Sequence, residues 1–185
     1  IEMNYHTIFE RNWMFDNLEL LISYNENSMM ILEKHYKELK HRRGLWSKIS
    51  SDPKFIPFFE ERFKVLQKKV DWKKISRNTK AIPFLEKRYE TIKNEIDWES
   101  LSENESIEVI SWIEKNYEEF KNKINWKSLS KNKHLLPLLK KRFYEIKNKL
   151  DWDELCKNPC LIEWIEEHYE EIETMLNWES LSCNP

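Results

Sequence analysis

The residues able to do chemistry are few and do not converge in spacing. The five histidines are His6, His35, His41, His134 and His168, and the three cysteines are Cys156, Cys160 and Cys183. A zinc site or a redox pair needs such groups at short fixed intervals, as in His-Glu-x-x-His or Cys-x-x-Cys, and neither interval occurs. Cys156 and Cys160 stand one helical turn apart, but Cys156 takes a place that serine holds in the other repeats described below. An odd set confined to the last 30 residues reads as free thiols of a reducing compartment, not as a disulfide framework. Gly44 is the one glycine, so no glycine-rich loop exists to wrap a phosphate, which excludes P-loop and dinucleotide-binding designs. The expectation is a non-enzymatic protein with no catalytic, cofactor-binding or metal-ligating residues.

What remains is chemistry of recognition. Phe58, Phe84, Trp112 and Trp164, with Ile31 and Leu138, recur at one position of a repeat, and His35, Arg62, Arg88, Asn116, Arg142 and His168 follow one turn later. On the helical wheel the first set lies about 100° from the main apolar stripe. Stacked side by side, the two columns would form an apolar ridge beside a mostly basic ladder, a groove for an acidic or amphipathic protein segment. Alternatively, the ridge packs between adjacent helices while the ladder pairs with Glu33, Glu60, Glu86 and Glu166. The candidate partner-binding residues are therefore His35, Arg62, Arg88, Arg142, His168, Phe58, Phe84, Trp112 and Trp164. The basic cluster Lys37, Lys40, His41, Arg42 and Arg43 reads as a charged helix end. Tyr36, Phe63, Tyr89, Tyr117, Phe143 and Tyr169 lie at the centre of the stripe, which makes them core and not a platform for bases.

The elements that carry these columns follow from an internal period. Tryptophans fall at Trp46, Trp72, Trp98, Trp126, Trp152 and Trp178, spaced by 26, 26, 28, 26 and 26 residues. Each begins a Trp-x-x-Leu/Ile-Ser-x-Asn signature, with Cys156 and Asp52 as the exceptions in the last two columns. Asp71, Asp97, Asn125, Asp151 and Asn177 precede the tryptophans as N-caps of a short helix. The second Asn/Asp column ends that helix or caps the next, and Pro57, Pro83 and Pro137 must lie in the first turn of a long helix. One apolar stripe follows, such as Ile82, Leu85, Tyr89, Ile92 and Ile96. In the 28-residue unit the two extra residues fall between Asn104 and Ile110, where a longer turn is expected, and Gly44 is expected to close the helix before it. The fold class is all-α: a solenoid of tandem helix-turn-helix repeats of about 26 residues, in which neighbours complete a core that no single pair can bury. Residues 1–18 are expected to form a capping helix. Residues 19–185 form one array of six repeats, the first of them degenerate and including Ile22, Ser23 and Asn25, plus a partial seventh that stops where a long helix is due.

Across 185 residues, 31 Lys+Arg against 33 Asp+Glu give a net charge of −2, and the mean hydropathy is −0.80. That balance weighs against a dedicated binder of nucleic acid or anionic membrane, whose surface carries an excess of positive charge. No apolar run approaches the roughly 20 residues that span a bilayer.

Asp71-Trp72-Lys73-Lys74-Ile75-Ser76-Arg77-Asn78 and Asp151-Trp152-Asp153-Glu154-Leu155-Cys156-Lys157-Asn158-Pro159 resemble the Asp-Trp-x-x-Leu-Ser-x-Asn-Pro helical repeats of giant, nucleocytoplasmic large DNA viruses. Asn-Pro itself is intact at Asn158-Pro159 and Asn184-Pro185, and the segment between tryptophans is longer here. The resemblance carries over no catalytic residue. It implies a scaffolding or protein-interaction role, a virion structural or minor capsid component, and a place in the virion or host-cell cytoplasm; without it the expected place is cytoplasmic. Capsid or other viral proteins are the implied partners, and a nucleic-acid-binding repeat protein is the alternative.

Overall fold

The computed structural model describes residues 27–184. The expected capping helix over 1–18 and the start of the degenerate repeat lie outside the described residues. Every regular element among those described is helical, and none of the helices is long and apolar enough to cross a membrane. The chain divides into two compact units, with the boundary between Asp71 and Trp72.

Among the described residues of the first unit the helices are α1 (Ser28–Lys34), α2 (Tyr36–Leu39), α3 (Arg43–Ile49), α4 (Ile56–Glu61) and α5 (Phe63–Leu66), with a 3-10 turn at Pro53–Phe55. Trp46 is fully buried, stacks on Phe58 at 5.9 Å and meets the edge of Tyr36 at 6.1 Å. Gly44 does not close the preceding helix as expected. It is the second residue of α3 and does not take the positive φ of a closing glycine.

The second unit runs through α6 (Trp72–Arg77), α7 (Ile82–Ile92), α8 (Trp98–Ser102), α9 (Ile107–Lys115), α10 (Tyr117–Phe120), α11 (Trp126–Leu129), α12 (Leu136–Ile146), α13 (Trp152–Cys156), α14 (Ile162–Glu167), α15 (Tyr169–Ile172) and α16 (Trp178–Ser182). The stripe residues Ile82, Leu85, Tyr89, Ile92 and Ile96 are buried, as are Ile113, Tyr117, Phe120 and Ile124. Phe120 shows why neighbouring repeats cohere: its ring lies 5.2 Å from Tyr89, 4.9 Å from Trp98 and 5.2 Å from Trp112.

Local sequence sets the helix starts. Pro57, Pro83 and Pro137 are second in α4, α7 and α12, where the missing amide would have had no partner. The 28-residue repeat differs from expectation. Ser106 caps α9 through the Val109 amide at 3.3 Å, so the helix begins at Ile107 and the added residues lengthen the helix, not the turn. The long helix is also broken in several repeats. His35, Arg62, Asn116 and His168 stand between two helical segments with φ between −105° and −116°, whereas α7 and α12 run unbroken through Arg88 and Arg142.

Candidate interaction surface

Two rows of polar residues on the short helices hold successive repeats in register. The first is the serine column. Ser130 donates its hydroxyl to the Trp126 carbonyl one turn back at 2.8 Å and accepts at 2.9 Å the amide of Asp151, the residue that caps the first helix of the next repeat. Ser50 and Ser102 do the same with Trp46 and Asp71, and with Trp98 and Asn125. At Cys156 the thiol replaces the hydroxyl; burial pushes it up, opposed by a hydrogen bond from the Asn177 backbone.

The second row is the asparagine column, in which Asn104, Asn132 and Asn158 each face two ways. The Asn132 Oδ1 accepts the His134 amide at 2.8 Å and so starts the next turn, while Nδ2 donates to the Asn104 carbonyl at 2.8 Å and the Ser106 carbonyl at 3.3 Å. Asn104 repeats this one unit earlier, with Ser76 and Asn78 as acceptors. Both carboxamides are almost fully buried. A buried carbonyl without a donor costs about 1–3 kcal/mol, so the column joins repeats as well as ending helices.

Its double role was partly legible. From Trp72 onward the position before each repeat tryptophan varies freely between Asp and Asn, because a cap needs only an acceptor, as at Asp97 and Asn125. The second column is asparagine at five of six places, the mark of a position that must also donate.

Within the second unit these rows set the long helices side by side and in the same direction. Glu86, in the middle of α7, meets Lys115, the last residue of α9, at 2.6 Å, and Tyr89 meets Glu119 one turn further along both. For the last pair, Asn158 reaches back to Asn132 before the helices begin and Tyr144 meets Glu171 at 2.8 Å near their ends.

On that flank the candidate residues come together in a different way from an exposed ridge. Phe58, Phe84, Trp112 and Trp164 are each 3% exposed or less; Trp112 packs on Tyr89 and Trp164 on Phe143, each on the preceding long helix, while Phe84 stacks on Trp72 of its own repeat. His35, Arg62, Arg88, Arg142 and His168 are half-buried beside them. The Arg62 guanidinium lies 4.2 Å over the Phe58 ring, and that of Arg142 lies 4.5 Å over Tyr117. His168 stacks on Trp164 at 4.5 Å, and its Nδ1 donates to the Trp164 carbonyl at 2.9 Å. Arg62 pairs with Glu61 and Arg142 with Glu145 on their own helices, while Glu86 pairs with Lys115. Two shallow grooves recur at equivalent places along the flank, one bounded by Arg88, Trp112 and Asn116 and the other by Arg142, Trp164 and His168.

The sequence reading missed a set of clamps built on the central aromatic column. Tyr89 donates to Glu119 and accepts from Lys123 at 2.9 Å. Burial pushes the Tyr89 hydroxyl up, reinforced by Glu119, whose carboxyl is in turn held low mainly by the Tyr89 bond. Glu145 is held low chiefly by Arg142, and the Tyr117 hydroxyl is raised first by burial and then by Glu145. Glutamates spaced 28 to 30 residues after these tyrosines were the available signal. Each group is already matched to an opposite charge or a donor, so the clusters lock adjacent helices together.

Cys160 and Cys183 are exposed and Cys156 is buried, all three as free thiols. Among the described residues no three of His, Cys, Asp and Glu converge as metal ligands would. No family model matches the chain, and no curated protein or solved structure matches it.

Proposed function

We propose that the protein is an α-solenoid of tandem helix-pair repeats that works without catalysis, as a scaffold binding other proteins along its long-helix flank. The observation that carries this reading is the recurrence of one groove at equivalent places. A half-buried cation, a buried aromatic and a polar residue one turn on bound it at Arg88–Trp112–Asn116 and again at Arg142–Trp164–His168. A surface built once per repeat suits an extended partner that makes the same contact several times. The half-buried cations select an acidic or amphipathic segment. The register-holding serine and asparagine rows support the solenoid itself, since each repeat then depends chiefly on its neighbours.

The likeness to giant-virus repeats supports a narrower form, a virion structural or minor capsid component or an adaptor in the infected cell. Detection in purified particles separates those roles. The flank is tested by capturing partners with the wild-type chain and with Arg88→Glu/Arg142→Glu, after circular dichroism shows equal helicity. The expected result is loss of a defined protein that binds the wild type when purified. An unchanged set of partners contradicts the reading. Selective loss of RNA or DNA would assign the flank to nucleic acid instead.

A further inference from the structure

The last two complete repeats carry opposite charge. From Trp126 to Asp151 there are eight lysines and arginines against two acids, and from Trp152 to Asn177 eight acids against one lysine. On the long helices the contrast is positional. Lys140 and Lys141 correspond, 26 residues on, to Glu166 and Glu167, and all four are exposed. Tyr144, 72% exposed, stands beside the lysines.

Earlier repeats use such charges on each other. Arg77 pairs with Glu103 at 3.2 Å, Lys115 with Glu86 at 2.6 Å, and Lys141 with Glu114. Among the described residues no ion pair joins the Trp126 repeat to the Trp152 repeat, although their net charges are the most opposed in the chain. Tyr144–Glu171 is the one hydrogen bond between side chains that crosses there.

We propose that this pair of helices is a self-association surface and that its occupant is a second copy of the chain. A two-fold axis parallel to α12 and α14, running above the exposed seam between them, would set each basic helix over the acidic helix of the other copy. An isologous contact requires that residue i meet j while j meets i. Adjacent helices of opposite charge running in the same direction satisfy that condition. The other in-plane two-fold, perpendicular to the helices, places lysine over lysine and glutamate over glutamate and is repelled. The pairing is electrostatic, with a screening length of about 8 Å at physiological salt, so association is strongest at low ionic strength. Lys140 and Lys141 also border the Arg142 groove, whereas Glu166 and Glu167 lie outside it; because the test reads the mass of the purified chain with no other protein present, its outcome is separate from that of the partner-capture test of the flank.

Sedimentation equilibrium of the wild-type chain tests it. The expected mass doubles at low salt and falls to that of one copy in 0.5 M salt (roughly the regime where exposed ion pairs are screened). Lys140→Glu/Lys141→Glu and Glu166→Lys/Glu167→Lys, each with wild-type helicity, are expected to be single copies alone and to form a heterodimer when mixed. Lys140→Glu alone, which spares the Lys141–Glu114 pair, should weaken association at least tenfold. A wild type that stays a single copy at low salt and high concentration overturns the proposal. So does a dimer that survives both reversals, or a mixture of the reversed forms that does not associate.

Discussion

Asn132 and Arg142 belong to the same repeat, yet their polar groups do opposite work. The carboxamide of Asn132 is buried and makes three bonds, two of them to the preceding repeat. The guanidinium of Arg142 is half-exposed and pairs with Glu145 three residues on. The short-helix edge is therefore the part of the molecule that fixes register, and the long-helix flank is the part where half-exposed charges pair locally on their own helix. Residue type tracks the difference. Serine and asparagine hardly vary along the edge, while the flank column holds His, Arg, Arg, Asn, Arg and His. Hydrogen-bonding geometry restricts the edge to one chemistry, whereas a surface cation over an aromatic ring can be exchanged for another polar group.

The largest effect should come from the apolar layer beneath both regions. Phe120→Ala removes a fully buried ring that touches Tyr89, Trp98 and Trp112, and chemical denaturation should show a loss of roughly 3–5 kcal/mol. A loss below about 1 kcal/mol would mean that the repeats are not held together by this layer. The next effect sharpens the edge itself. Ser130→Ala strands the Asp151 amide and should cost about 1–2 kcal/mol, while Ser130→Cys, which reproduces the arrangement at Cys156, should cost less. Equal losses would deny the serine row its bridging role. Smaller again is the pH dependence of a cap. The Asp97 carboxyl is held below its ordinary range, first by the Ser100 backbone amide. Its contribution is full above the unfolded carboxylate value and is lost as pH falls through the lowered folded value. Asp97→Asn should flatten that acid limb of the stability curve while leaving the neutral midpoint nearly unchanged.

Much of this architecture was readable from residue order. The tryptophan period, the N-caps at Asp97, Asn125, Asp151 and Asn177, the proline-marked helix starts and the buried stripe are local consequences of spacing and capping chemistry. The errors have local causes too. Ser106 is a good cap, so a predicted turn became helix, and Gly44 was absorbed into a helix where no left-handed residue was needed. The inward packing of Phe58, Phe84, Trp112 and Trp164 was not decided by the sequence, because a column about 100° from the stripe is buried only when a neighbouring helix comes close enough to cover it. The bonds from Asn104 and Asn132 to the preceding repeat span 26 to 28 residues, beyond the reach of any local pattern.

The most direct test compares two substitutions of the same chemistry in one repeat, Asn125→Asp and Asn132→Asp, by equilibrium denaturation. Asn125 serves its helix as an acceptor, and a carboxylate does that equally well at a helix start, so its replacement should leave the midpoint unchanged. Asn132 must donate to two buried carbonyls, and a carboxylate there should cost roughly 3 kcal/mol or more. Equal midpoints for the two variants would contradict the claim that the asparagine row holds the repeats in register.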